Sequence, residues 1–216
     1  AVFTPNGNLA NRRARLLSKG HQSGPEISTG LPMLDRYTWG LLRGEIFTVA
    51  ARTGVGKTSF AVGLVKHLLN NNKRVLLFST EMSSELIVNR LLSSYTGLTG
   101  NSFRSGNFSD EDKRRLDVGY EWLERVGHAI KICDLSAPNI QIVKQLAGEH
   151  KPDVVVFDHI QHIGGGNDVR NTISEFTRGL KDVARDYDCS VLVLSQLRRM
   201  FKDPKTGQLP PPQLSD

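Results

Sequence analysis

The sequence predicts an α/β fold: a mostly parallel sheet with helices on both faces. Three observations lead there. Four short apolar runs, at 46–50, 75–78, 154–157 and 191–194, alternate with longer segments of helical periodicity. Strands that are apolar on successive residues are buried on both faces, as in a parallel sheet sandwiched between helices. A glycine-containing loop joins the first run to an amphipathic helix, and an aspartate closes the third run.

The elements follow in order. Ile46-Phe47-Thr48-Val49-Ala50 is short and β-prone, and the loop Ala51-Arg52-Thr53-Gly54-Val55-Gly56-Lys57-Thr58 comes directly after it. Phe60, Leu64 and Leu68 then recur at helical spacing beside Ala61, Val65 and Leu69, which predicts a helix over 59–69. Further helices are predicted over 84–95, 110–126, 139–149 and 172–187, and the run at 130–132 supplies another candidate strand. Ser109 followed by Asp112 has the form of an N-terminal cap, and Pro138-Asn139 opens the helix after it. Residues 1–25 differ in composition: Pro5, Gly7, Gly20, Gly24 and Pro25 bracket a basic amphipathic stretch at 9–17, read as an N-terminal arm or linker preceding one domain over 26–216. Irregular segments at 164–168 and 202–216 follow predicted strand ends, the edge where open parallel sheets place ligands.

Composition narrows the function classes. A chain of 216 residues is long enough for a sizeable core. Lys and Arg number 28 against 22 Asp and Glu, a formal charge of +6. Arg12, Arg13, Arg15 and Lys19 precede the first acidic residue, Glu26, and Arg198, Arg199, Lys202 and Lys205 cluster near the end. Such local excess suits an anionic partner such as nucleic acid, although solvated charge runs have the same appearance. Cys133 and Cys189 lack metal-ligand spacing and read as reduced, buried thiols of a cytosolic-type compartment. No run is long enough to span a bilayer and the start lacks a signal-peptide core, so a soluble protein with no membrane partner is expected.

Residue chemistry identifies the candidate site. In a loop of this type, successive backbone N–H groups and the following helix N-terminus cradle phosphate oxygens, which assigns Arg52, Thr53, Gly54, Val55, Gly56, Lys57, Thr58 and Ser59 to nucleoside triphosphate. Ala51 departs from the first glycine of the usual pattern. Lys57 reaches the β- and γ-phosphates, and the Thr58 hydroxyl takes one position on Mg²⁺. Asp158 emerges from the strand at 154–157, a position suited to holding Mg²⁺ through water; capping the next segment is the competing role. Glu81 leaves the strand at 75–78 at the same edge, placed either to activate the attacking water or to sit near a helix start. Gln196, with donor and acceptor on one amide, can sense the γ-phosphate. His159 and His162 flank Gln161 without a third matched ligand and read as polar loop residues rather than a metal site.

Taken together, Ala51 to Thr58, Ser79-Thr80-Glu81-Met82, Phe157-Asp158-His159-Ile160-Gln161 and Leu194-Ser195-Gln196-Leu197 resemble the RecA-like ATPase domain of DnaB-type replicative helicases. The resemblance extends through Ser28-Thr29-Gly30-Leu31, Leu34-Asp35 and Gly40-Leu41 to Glu85, Arg90, the segment at 106–112, Arg178-Gly179-Leu180-Lys181, Ala184 and Arg198-Arg199. It implies a RecA-like P-loop NTPase fold and a ring-shaped, hexameric motor that hydrolyses ATP or another NTP with Mg²⁺ and unwinds duplex DNA while translocating on single-stranded DNA. Lys57, Glu81 and Gln196 would be catalytic, Thr58 and Asp158 would hold the metal, and Arg198, Arg199, Lys202 and Lys205 would face DNA. Primase, a helicase loader and identical subunits are the implied partners. His159 stands where many bacterial members carry an aromatic residue, whereas phage and mitochondrial relatives also use His or Asn there; the expected location is a bacterial or phage-infected cytoplasm, or alternatively a mitochondrial matrix. The chain stops at Leu214-Ser215-Asp216, where family members continue into a DNA-touching loop and strands bearing an arginine finger, so a domain truncated at its C-terminus and weakly active or inactive in isolation is expected. A RecA-like recombination ATPase or mediator, and an ATP-switched scaffold, are the competing functions.

Overall fold

The computed structural model describes residues 24–160 and 169–197. The chain forms two compact units, Ala1–Leu41 and Leu42–Asp216. The helix predicted over 9–17 lies outside the described residues.

The first unit holds a helix that periodicity did not predict, α1 (Pro32–Thr38). Its seven residues are too few to show a face, and Pro32 presets the first helical φ. Asp35 organises the turn before it: its carboxylate accepts from the Thr29 N–H at 2.9 Å, the Thr29 hydroxyl at 2.6 Å and the Ser28 hydroxyl at 2.7 Å. The Glu26 N–H donates to the Trp39 carbonyl at 3.2 Å and the Leu41 N–H to that of Ile27 at 2.8 Å. Between them Gly40 sits at φ +76°, where a Cβ would stand 2.4 Å from the Ile27 carbonyl oxygen.

The second unit runs β1 (Ile46–Ala51), α2 (Lys57–Asn70), β2 (Val75–Ser79), α3 (Ser84–Thr96), α4 (Gly100–Ser105), α5 (Asp110–Val126), a 3₁₀ turn (Gly127–Ala129), β3 (Ile130–Cys133), α6 (Ile140–His150), β4 (Val154–Asp158), α7 (Val169–Asp186) and β5 (Ser190–Gln196). The strands form one parallel sheet in the order β1-β5-β4-β2-β3. This is the α/β architecture expected from the alternation of runs.

Register sorts the strand residues onto two faces. Leu76, Phe78, Val155, Phe157, Val191 and Val193 share one face and pack with Val143 and Ala147 of α6 and Phe176, Leu180 and Val183 of α7. Phe78 and Phe157 stack with centroids 4.6 Å apart, and Phe176 meets Phe157 edge-on at 5.5 Å. The opposite face carries Leu77, Val156 and Leu192 in register, ends in Ser79, Asp158 and Leu194, and is covered by α2. The stripe Ala61, Val62, Leu64, Val65, Leu68 and Leu69 of that helix is buried, each large side chain contributing about 1.5–3 kcal/mol of transfer free energy. Outside α2 lie α3 and α5, joined by the stacked pair Tyr95 and Trp122 at 4.4 Å.

Four expectations need correction. β1 is not buried on both faces: among the described residues it pairs only with β5, and Thr48 and Ala50 are exposed. Cys189 is buried as expected, but Cys133, at the end of the edge strand β3, is only half-buried. The helix expected from Ser59 starts at Lys57, because the loop's glycines turn the chain into helical geometry two residues earlier. The helix expected from Thr172 starts at Val169, and α4 was not predicted at all. The caps behaved as read: Ser109 and Asp112 form a reciprocal capping box, and Asn139 accepts from the Ile142 N–H at 2.9 Å.

Candidate functional site

The loop between β1 and α2 is shaped by two glycines in left-handed conformation, Gly54 at φ +81° and Gly56 at φ +107°. A Cβ at either would meet nothing within 4 Å, so backbone conformation rather than crowding demands glycine there. Gly56 is the N-cap of α2 and offers no capping side chain, which leaves the first-turn N–H groups of a 14-residue helix available to an anion. Arg52, Lys57 and Thr58 are half-buried; Thr53, Val55 and Ser59 are exposed. Among the described residues the Lys57 ammonium has neither an ion-pair nor a hydrogen-bond partner.

Three strands deliver the remaining groups to the same edge. Asp158 ends β4, opposite Ser79 of β2 and Leu194 of β5, on the sheet face that α2 covers. Its residue exposure is 6%, and its carboxylate finds no partner among the described residues. A buried carboxylate without a donor is costly unless a cation or water completes it. Gln196 ends β5 in register with Ala51, and the Leu197 N–H donates to the Ala51 carbonyl at 3.1 Å. Its amide Nε2 donates to the Thr53 hydroxyl at 2.9 Å, a contact that sequence reading missed because the partners lie 143 positions apart.

Glu81 is carried by a turn just beyond β2. The Ser79 hydroxyl donates to the Met82 carbonyl at 2.7 Å, and the Met82 N–H returns to the same hydroxyl at 3.1 Å. Thr80 ties this turn to the end of β4: its N–H donates to the Asp158 carbonyl at 2.9 Å and its hydroxyl to the His159 carbonyl at 3.0 Å. Glu81 and Asp158 are thereby carried on two tips fastened together. The Glu81 side chain is 67% exposed and lies 3.6 Å from Nδ1 of the buried His159. This contact was also invisible in the sequence, where His159 read only as a polar loop residue.

No group of three or more His, Cys, Asp or Glu able to hold a metal by themselves occurs among the described residues. His162, the segment at 164–168, Arg198, Arg199, Lys202 and Lys205 lie outside the described residues. No described helix is long and apolar enough to cross a membrane.

A family model described as the DnaB-like helicase C terminal domain matches residues 26–216. The chain is 32% identical over 201 residues to the replicative DNA helicase DnaB of Geobacillus stearothermophilus, covering 88% of this chain and 43% of the relative. It is 34% identical over 204 residues to the replicative DNA helicase DnaB of a Synechocystis strain, covering 90% and 23%. The chain thus spans less than half the length of these curated relatives. A solved structure described as the ATPase domain of G40P superposes with a TM-score of 0.85 at 26% identity, covering 100% of this chain and 78% of that one. A second, of a DnaB-like replicative helicase and its interactions with primase, gives 0.82 at 26% identity, covering 94% and 52%.

Proposed function

Since the chain belongs to the DnaB-like helicase C-terminal domain family, we propose that it is the ATP-hydrolysing motor of a ring-forming replicative helicase that moves along single-stranded DNA and separates duplex DNA. In this reading residues 26–216 make up the RecA-like motor and residues 1–25 an arm that links it to other parts of the ring. One observation carries the proposal: a lysine and a buried carboxylate, Lys57 and Asp158, stand at one sheet edge, and neither has a partner among the described residues.

The residues divide the work. The N–H groups of the loop from Arg52 to Gly56 and of the first turn of α2, through Ser59, bind phosphate oxygens, and Lys57 neutralises their charge. Glu81 accepts a proton from the attacking water, and its exposure leaves room for that water beside it. Gln196 donates to the γ-phosphate. Mg²⁺ fits the site because the Asp158 carboxylate is buried without a donor on the face covered by the helix that Lys57 and Thr58 begin. Thr58 and, through water, Asp158 would hold it, and the ion would supply charge neutralisation on phosphate oxygens. Arg198, Arg199, Lys202 and Lys205 contact DNA phosphates without reading sequence. Primase, a loader and identical subunits are the partners; the replicative helicases matched come from bacteria, which supports a bacterial or phage-infected cytoplasm over a mitochondrial matrix.

The test separates binding from chemistry. Lys57→Ala should abolish binding of a fluorescent ATP analogue. Glu81→Gln should retain binding and lose turnover by about 10²–10⁴-fold, the usual contribution of a positioned base. Normal nucleotide binding by Lys57→Ala overturns the site. Strand exchange without strand displacement by the wild type replaces the helicase with a recombination ATPase.

A further inference from the structure

We propose that a cleft at the end of α2 remote from the phosphate loop is a second anion site, built for a small ligand that carries two or more phosphate charges. The 14 residues of α2 set it about 20 Å from the loop, at 1.5 Å of rise per residue.

The cleft measures about 530 Å³ and lies where the end of α2, the turn into β2, the end of α5 and the 3₁₀ turn meet. That volume falls in the range that holds small ligands, about 300–1,000 Å³. Its floor is apolar, with Leu69, Val126 and Ala129 buried. Arg74, Arg125 and Asn70 bring donors to its walls. Among the described residues no acidic side chain lines it, and neither guanidinium has an ion-pair or hydrogen-bond partner. The neighbouring carboxylates are engaged: Asp153 pairs with Arg43 and accepts from the Arg74 backbone N–H at 2.9 Å, and Glu149 pairs with Lys131 at 3.3 Å. Nor do the arginines serve as helix caps. The last carbonyls of α2, on His67, Leu68 and Leu69, accept from the N–H groups of Asn71, Asn72 and Lys73, and the Leu123 carbonyl of α5 accepts from Gly127. Two cations lining one cleft repel each other, a cost that a bound anion removes.

Asn70 gives the site a fixed donor. Its side-chain carbonyl accepts from the Trp122 indole N–H at 2.7 Å, and an indole only donates, so the amide oxygen is pinned there and Nδ2 keeps its N–H groups for the cleft. Charge then selects the ligand class. Two guanidiniums carry two positive charges; a carboxylate brings one negative charge, whereas a terminal phosphate carries about −1.5 to −2 at neutral pH and three acceptor oxygens that two forks can share. The recessed, buried floor suits a compact ligand rather than a nucleic-acid backbone lying across the surface.

The experiment titrates inorganic pyrophosphate into the Lys57→Ala protein, which lacks the loop's cation, at constant ionic strength, and follows the indole N–H signals by NMR. The tryptophans are Trp39 and Trp122, and Trp39→Phe assigns their signals. Because Trp122 is bonded to a residue of the cleft, residual binding in the loop does not mimic the response. The Trp122 signal should move and saturate. Arg74→Gln or Arg125→Gln should weaken the apparent affinity about tenfold or more, the worth of one charge-assisted hydrogen bond. Arg114→Gln, nearer the start of α5, should leave it unchanged; all three arginines are exposed, so none of the changes disturbs the core. A response that never saturates, or equal weakening by Arg114→Gln, returns Arg74 and Arg125 to solvated surface charge and overturns the site. A single-stranded oligonucleotide that moves the Trp122 signal at a lower phosphate concentration than pyrophosphate also overturns it, assigning the cleft to nucleic acid.

Discussion

Trp122 donates its indole N–H to the Asn70 side-chain carbonyl at 2.7 Å. That bond fastens α5 to the last residue of α2, the helix whose other end begins at the phosphate loop. Trp122 is also 1% exposed and stacks on Tyr95, so it joins three helices. Trp122→Phe keeps the stacking and loses the hydrogen bond, and should cost about 1–2 kcal/mol of stability. Trp122→Ala removes the ring as well and should cost about 3–5 kcal/mol. Urea denaturation of both variants checks the two values; an undiminished stability in Trp122→Phe would show that the hydrogen bond contributes nothing beyond packing.

Gly119, inside α5, marks the closest approach of that helix to α3. A Cβ there would meet Thr96 Cγ2 at 2.6 Å and Leu92 Cδ2 at 3.2 Å. The threonine methyl cannot simply rotate away, since Thr96 Oγ1 donates to the Leu92 carbonyl at 2.8 Å and accepts from the Leu98 N–H at 3.2 Å. Gly119→Ala should therefore destabilise by about 1–2 kcal/mol, overpacking outweighing the helix-propensity gain of about 1 kcal/mol. Adding Thr96→Ser removes the offending methyl and should recover much of the loss. Thermal melts of the two single variants and the double variant decide it, and strict additivity would refute the clash.

Asp153 predicts an acid-side stability effect. Burial pushes its carboxyl up, but the Arg74 N–H at 2.9 Å and the paired Arg43 guanidinium more than offset this, leaving it below the usual carboxylate range. The unfolded chain, with the higher pKa, takes up protons first. The stabilisation is complete above the unfolded value of about 3.9 and is lost as pH falls through the folded one. Asp153→Asn should cost about 1–3 kcal/mol at pH 7. Its stability curve should converge with that of the wild type in acid; a constant offset down to pH 2 would contradict the assignment.

The two thiols should be slow to alkylate. Burial pushes the Cys189 thiol up to about 11 and raises Cys133 as well, so little thiolate exists at neutral pH. Cys133, half-buried, should react with iodoacetamide before Cys189, which should react only on unfolding. Mass spectrometry of the native protein at pH 8 checks the order, and rapid labelling of Cys189 would show that β5 opens readily.

Much of this was legible because the chemistry depends on local order. Ile46 to Thr58 is contiguous, so strand, loop and helix could be read directly, and Asp158 announced itself as a carboxylate closing three valines and a phenylalanine. What escaped was non-local or too short for periodicity. α1 and α4 have seven and six residues, fewer than two turns each, and show no repeating face. The exposure of β1 follows from strand order, which no single run reveals. The contacts of Gln196 with Thr53 and of Glu81 with His159 exist only because the parallel register brings four strand ends to one edge.

The two margins of the sheet are unlike. β3 is four residues long and presents Lys131, which pairs with Glu149 at 3.3 Å. β1 is six residues of high β-propensity, Ile46 to Ala51, with no charge among them and, within the described residues, backbone pairing on one side only. A strand of that kind, wherever its second side stays open, is a template for cross-β growth. A lysine in place of the exposed Thr48 is the gatekeeper that would bar such pairing.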